Sequence, residues 1–205
     1  AYIGGKVKLG DNCHIHQRAT VTGQTDIGAD VEIFPGAVIG TAPQILNFKD
    51  DGTSRLTIGE GTVIREHVTV HGGSPAHGGL TSVGSHCLLM VGVHIAHDCH
   101  VGDKCVFANN VALGGHIVIA DQVWMGGLAA VHQFCRIGQH AFVGGGAIVV
   151  ADVIPYGSVI GNHAHLAGLN IVGMKRRGFS RQSIHDLRAA YRMLFAKEGT
   201  FSERV

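Results

Sequence analysis

The chain has 205 residues and carries 16 Lys plus Arg against 15 Asp plus Glu, so it offers no polybasic surface to a nucleic-acid backbone or an anionic membrane. Hydrophobic residues at 45% exclude a disordered chain, and no apolar run is long enough to span a bilayer, so a soluble protein of one folding unit is expected. Glycine at 31 residues is about twice its average share, and histidine at 15 equals the acidic class, which points to a periodic use of glycine and a titratable surface.

The period is six. Ile3, Leu9, Ile15, Val21, Ile27, Ile33 and Ile39 recur at that interval. Residues Thr41 to Thr57 break it, Ile58, Ile64 and Val70 resume it, and Gly72 to Ser82 break it again. The register then runs unbroken through Val83, Leu89, Ile95, Val101, Phe107, Leu113, Ile119, Met125, Val131, Ile137, Val143 and Val149. Glycine is frequent at the second position of the hexad, and small or β-branched residues fill the fifth. Cys13, Cys87, Cys99, Cys105 and Cys135 all fall on that fifth position and are expected to be small buried hydrophobes without chemistry. Their odd number and the absence of a CxxC pair fit a reducing cytoplasm.

A repeat of six matches neither the 3.6-residue period of an α-helix nor the 3.5 of a coiled coil, and it predicts an all-β solenoid, a parallel β-helix of short flat strands. With three hexads to a coil, residues eighteen apart stack on one another. Residues 1–154 are expected to form this solenoid, with loop insertions at 41–57 and 72–82 on a binding side. Pro155, Gly157 and Gly161 predict an irregular connection over 155–179. From 180 to 205 the start of a helical region is expected: Ser180 is its cap, Ile184, Leu187, Tyr191, Leu194 and Phe195 share one face, Gly199 stops it, and a second helix opens near Thr200. The chain opens at Ala1 without Met, and both ends are expected to be processed or cut.

Chemistry concentrates in His94–Asp98. Ile95 is a ladder residue, so His97 at the third hexad position points outward, and eighteen residues on lies Gly115, flanked by Gly114 and His116. A titratable imidazole over a bare backbone amide combines a general base with an oxyanion donor, and the same stacking sets Asp98 beside His116, where a carboxylate can fix a tautomer. Zinc ligation by His94, His97 and His100 within one chain is poorly served by a flat strand, although ligands shared across a subunit interface escape that objection. Lys175, Arg176 and Arg177 before a glycine form a short basic run whose guanidinium forks suit phosphate.

The segments IGEGTVIREHVTVHGG, HIAHDC, FANNVALGGH, AVHQFCRIG, VGGGAIV, GNHA and GLNIVGMKRRGFSR together resemble the acyl-carrier-protein-dependent UDP-N-acetylglucosamine O-acyltransferases that begin lipid A synthesis. The resemblance implies a left-handed parallel β-helix and a cytoplasmic homotrimer with sites between subunits. It also implies transfer of a (3-hydroxy)acyl chain from acyl carrier protein to the sugar 3-position, with no metal, no other cofactor, no nucleic acid and no membrane insertion. By that resemblance His97 is the base, Gly115 N–H the oxyanion donor and Asp98 the support. His71, His94, His116, His132, Gln133 and Gln44 hold the sugar and diphosphate, and Asn170, Arg176 and Arg177 the nucleotide. Gly145 lies along the acyl groove, where glycine favours a longer chain, and His163 lies near its end. The loop Pro43–Phe48 departs from the family's PQDLKY, with Ile45 and Asn47 replacing an acidic and a basic contact, so N-acylation of a 3-amino UDP-sugar is a variant. A metal-dependent enzyme of the γ-carbonic-anhydrase type and a non-catalytic homologue are the remaining alternatives.

Overall fold

The computed structural model describes residues 1–162, 165–196, 198–200 and 202. The hexads fold into two-residue strands that end on the ladder residue, such as Leu88–Leu89, His94–Ile95 and His100–Val101. Between strands the chain turns at a residue with left-handed backbone, three positions after the ladder: Asp98 at φ 57°, Lys104 at 55°, Asn110 at 59° and His116 at 61°. That conformation costs an L-residue about 1–2 kcal/mol, and the parallel ladders on either side of each corner offset it.

Successive strands go to three different sheets of eight, seven and nine strands, parallel except for the last strand His165–Leu169, and along the repeat every fourth strand returns to the sheet of the first. Leu88–Leu89 pairs with Val106–Phe107, and His94–Ile95 with Ala112–Leu113, in register at the interval of eighteen expected from the hexads. The chain is therefore a parallel β-solenoid of hexapeptide repeats. Beyond the first windings, ladder residues and fifth-position residues alike face inward: Ile95, Phe107, Leu113, Met125 and Val143 are buried together with Cys87, Cys99, Cys105 and Cys135. Ile3 and Leu9, by contrast, are exposed and Cys13, also expected to be buried, is only partly so, because no earlier winding covers that end in the structure. Each large side chain removed from water contributes roughly 1.5–3 kcal/mol before chain entropy is counted. Glycine at the second hexad position lets neighbouring windings approach: a Cβ on Gly126 would lie 2.5 Å from the backbone nitrogen of Gly145.

The insertions are shorter than the broken register suggested, because strand pairing reclaims their edges. The strand Val38–Thr41 runs into the first, and Arg55–Ile58 leaves it in register with Gln24–Ile27. In the second, a 3-10 turn at Pro75–His77 precedes the strand Leu80–Val83.

The connection expected to be irregular over 155–179 is instead structured. Val153 bridges Ile137, Tyr156 turns the chain at φ 59°, and Gly157–Ile160 pairs in parallel with Phe142–Val143. His165–Leu169 then returns antiparallel and covers that edge, so Pro155 and the glycines serve as turn residues of paired strands. Helix α1 (Ile171–Arg176) is capped by Asn170, and α2 (Arg181–Leu194) by Ser180, whose Oγ accepts from Ser183 N–H at 3.0 Å. Helix α2 ends at Leu194 rather than at the expected Gly199 stop, with Phe195 N–H donating to Tyr191 O at 3.0 Å. Of its predicted apolar face only Ile184 is buried. The second helix expected near Thr200 falls mostly outside the described residues. No described helix is long and apolar enough to cross a membrane.

Phe107 is fully buried on the solenoid axis. Phe107→Ala is expected to destabilise the protein by about 3–5 kcal/mol, measured by denaturant unfolding.

Candidate active site

Stacking at the interval of eighteen brings His97 and Gly115 together. A Cβ on Gly115 would lie 2.6 Å from His97 Cε1 and 2.8 Å from Nε2, so the imidazole occupies space that only glycine leaves free. At the same hexad position in neighbouring windings, the amides of Ser85 and Asp103 donate to an aspartate Oδ1 eighteen residues on, at 2.8 and 2.9 Å. These amides lie at a different corner of the winding from Gly115, but at the same hexad position, and there they aim at an oxygen on the outside.

Asp98 sits on the corner after His97, and its carboxylate is buried. Its Oδ2 is 2.7 Å from His97 Nδ1 and accepts from Ser74 Oγ at 2.6 Å, while Oδ1 accepts from Ser74 N–H at 2.8 Å. Its own N–H donates to Thr81 Oγ1 at 2.8 Å. Burial alone would raise its pKa, but the bonds from Ser74 and His97 outweigh burial and hold it below the usual carboxylate value. The carboxylate therefore takes the Nδ1 side of His97 and fixes the tautomer that leaves Nε2 as the basic nitrogen.

His116 Nδ1 lies 3.7 Å from Asp98 Oδ2, its ring edge-on to His97 with centroids 4.9 Å apart. Phe134, stacked flat on His116 at 4.7 Å, fixes that ring. Burial lowers the pKa of His116 and, helped by the charge of His97, that of His94, whose Nδ1 is 2.7 Å from Thr69 Oγ1. His71 packs edge-on against His94 at 5.0 Å. It is buried, its Nδ1 has no partner among the described residues, and burial pushes its pKa down to about 4.

His71, His94, His97, Asp98, Gly115 and His116 thus form one continuous group. His132 and Gln133 lie one winding further, both exposed, with His132 Nδ1 3.1 Å from Gln133 O. Gln44 is exposed in the first insertion. Asn170, Arg176 and Arg177 line a separate cavity of about 610 Å³ walled by Trp124, Phe142 and Leu169. There Asn170 is occupied as a cap, accepting from Gly173 N–H at 2.9 Å and donating to His140 O at 3.1 Å. Arg177 donates through Nη2 to Gln122 O at 2.6 Å, and its Nη1 is buried without a partner among the described residues. Gly145 is exposed, and a Cβ there would meet only Gly127, at 3.3 Å from its carbonyl oxygen. His163 lies outside the described residues.

The zinc alternative does not assemble from the expected histidines. His94 and His100 sit in different sheets, and His100 Nδ1 is 2.9 Å from Ser82 Oγ. The set of metal-capable side chains that does converge among the described residues is His77, Asp98 and His116. Sequence reasoning missed Ser74, Thr81 and Phe134. Adding eighteen to His116 gives Phe134, so that partner was available to the stacking argument, whereas the fold of the second insertion brings in Ser74.

Residues 81–115 match the family model for the bacterial transferase hexapeptide repeat, and residues 152–205 match that for UDP N-acetylglucosamine O-acyltransferase domain 2. An acyl-[acyl-carrier-protein]–UDP-N-acetylglucosamine O-acyltransferase of Agrobacterium fabrum is 46% identical over 98% of this chain and 73% of its own, and one of Bartonella henselae is 47% identical over 100% and 79%. The solved UDP-N-acetylglucosamine acyltransferase of Francisella novicida superposes with a TM-score of 0.94 at 36% identity, covering 98% of this chain and 74% of the other. That of Campylobacter jejuni gives 0.92 at 33%, covering 99% and 78%.

The pKa of His71 falls from 6.5 to about 4 in the folded protein, so the unfolded chain binds the extra proton between those values. Stability is then expected to rise with pH across that window, and His71→Gln to flatten this part of the profile, as read by melting temperature against pH.

Proposed function

The chain belongs to the acyl-[acyl-carrier-protein]–UDP-N-acetylglucosamine O-acyltransferases, and from that premise we propose that it transfers a (3-hydroxy)acyl chain from acyl carrier protein to the 3-position of UDP-N-acetylglucosamine, the first step of lipid A biosynthesis. The observation that carries the mechanism is the His97 imidazole seated over Gly115, with Nδ1 held by Asp98 at 2.7 Å. His97 Nε2 takes the proton of the sugar 3-hydroxyl as that oxygen attacks the thioester carbonyl. The tetrahedral oxyanion receives the Gly115 N–H, and its collapse expels the carrier thiolate, which recovers the proton from His97. Asp98 keeps the imidazole oriented and stabilises its transient positive charge. The reaction needs no covalent enzyme intermediate.

His71, held neutral above about pH 4, together with His94, His116, His132, Gln133 and Gln44 is assigned to the sugar and diphosphate. Arg176 and Arg177 are assigned to the nucleotide, with Asn170 contributing through the helix it caps. The left hand of the winding, its closure into a triangular prism and assembly as a homotrimer with sites between subunits are part of the same proposal, as is a cytoplasmic location. Gly145 leaves an open course for a long acyl chain. Ile45 and Asn47, apolar and neutral in an exposed loop, favour a second reading in which the attacking group is a 3-amino substituent.

A mass-spectrometric assay with hydroxyacyl carrier proteins and either UDP-N-acetylglucosamine or its 3-amino analogue decides the matter. Product from the hydroxyl sugar is expected, product from the amino sugar alone would make the 43–48 loop the specificity switch, and product from neither would leave a non-catalytic homologue. His97→Ala is expected to lower turnover by roughly 10²–10⁴ with folding intact, and near-normal turnover would remove the base mechanism. Gly145→Met is expected to shift the preferred acyl chain to a shorter one in a competition between carrier-bound chains of graded length.

A further inference from the structure

The second insertion does more than deliver Ser74 to Asp98. Its 3-10 turn, Pro75–His77, ends by laying the exposed His77 against His116, with ring centroids 4.3 Å apart at 61°. One ring nitrogen from each imidazole and a carboxylate oxygen of Asp98 lie within 4.8 Å of one another. We infer that His77, Asp98 and His116 form an inhibitory binding site for a borderline-soft divalent cation, zinc above all, in which the metal takes Asp98 away from His97. This inference rests on the proposed role of the His97–Asp98 pair.

Three features support it. Two imidazoles and one carboxylate are the ligand types of three-residue zinc sites that keep a fourth position open, and tetrahedral bonds of about 2.0–2.1 Å set ligand atoms roughly 3.4 Å apart. His116 Nδ1 and Asp98 Oδ2, at 3.7 Å, already approach that separation. His77 is exposed on a three-residue turn, where its Nδ1 makes only a long contact to Ser74 Oγ at 3.5 Å, and Phe134 stacks flat on His116 with centroids 4.7 Å apart.

The antagonism follows from a shared atom. Asp98 Oδ2 is also the partner of His97 Nδ1 at 2.7 Å and of Ser74 Oγ at 2.6 Å. A cation on Oδ2 draws on the lone pairs those donors use and repels positive charge on His97, so the base loses its orienting partner when the metal arrives. His116, another ligand of that metal, has its ring edge-on to His97 with centroids 4.9 Å apart.

The test uses the full chain after chelator treatment, with zinc chloride as the probe. Isothermal titration calorimetry is expected to give one zinc per chain, and acyl transfer is expected to fall as that site fills. His77→Phe keeps a ring against His116 but removes the ligand nitrogen. It is expected to leave zinc-free turnover unchanged, to weaken zinc binding about tenfold or more, and to displace the inhibition curve by the same factor. Equal zinc affinity in the two proteins, or no zinc uptake at all, would overturn the site. Zinc binding that requires His77 yet leaves turnover untouched would overturn the inhibition. Calorimetry needs no substrate, so an error in the proposed activity would show in the transfer assay and leave the binding result standing.

Discussion

The parallel register at eighteen residues is the constraint from which the rest of the molecule follows. Where no insertion intervenes, backbone pairing sets residue i beside residue i + 18 on all three sheets, as Tyr2 beside Thr20, Lys8 beside Asp26 and His14 beside Glu32, and the windings that carry an insertion return to the same stack. Once that interval holds, the inward column of aliphatics, the left-handed corners and the outward amides all repeat in the same places. A slip of one residue would exchange inside for outside in every strand at once, so the apolar ladder and the register protect each other. The site exists on the same terms, since His97 meets Gly115 and Asp98 meets His116 only because each pair is one winding apart.

Within that frame the site is divided between a fixed half and a working half. Asp98 is buried and engaged by Ser74 through both backbone and side chain, with Thr81 anchoring its own amide. Such a carboxylate is prepared before any substrate arrives and has little freedom to reorganise, which suits it to the orienting role proposed for it beside His97. Among the described residues, His97 is held through Nδ1 alone. Its other face meets the backbone of Gly115, where a single methyl group would collide with the ring.

Much of this was legible in the sequence because a solenoid converts spacing directly into contact. The apolar interval of six located the strands and the buried cysteines, and the interval of eighteen located His97 over Gly115. What stayed hidden depends on chain that leaves the repeat. Ser74 reaches Asp98 from inside an insertion whose path no period describes. Pro155 and the following glycines read as an irregular exit because turn residues announce a change of direction without saying that His165–Leu169 will return along the edge. The motif that points to Asn170 says nothing of its part in the fold, where its side chain caps α1 and donates to His140 O. The separation of the Arg176 and Arg177 cavity from the histidine group is likewise a matter of how the chain folds back after the repeat.

The fifth hexad position has a consequence for chemical reactivity. Cys99 directly follows the carboxylate at the heart of the site, yet its thiol points the other way, into the solenoid, where burial pushes its pKa up to about 12. Cys135 is raised for the same reason. Thiols of this kind form almost no thiolate at neutral pH and present nothing to an alkylating reagent or a peroxide. A covalent ligand designed against the nearest sulfur would therefore find it one residue away in sequence and on the wrong side of the wall, while labelling of that same sulfur would report only that the wall had opened.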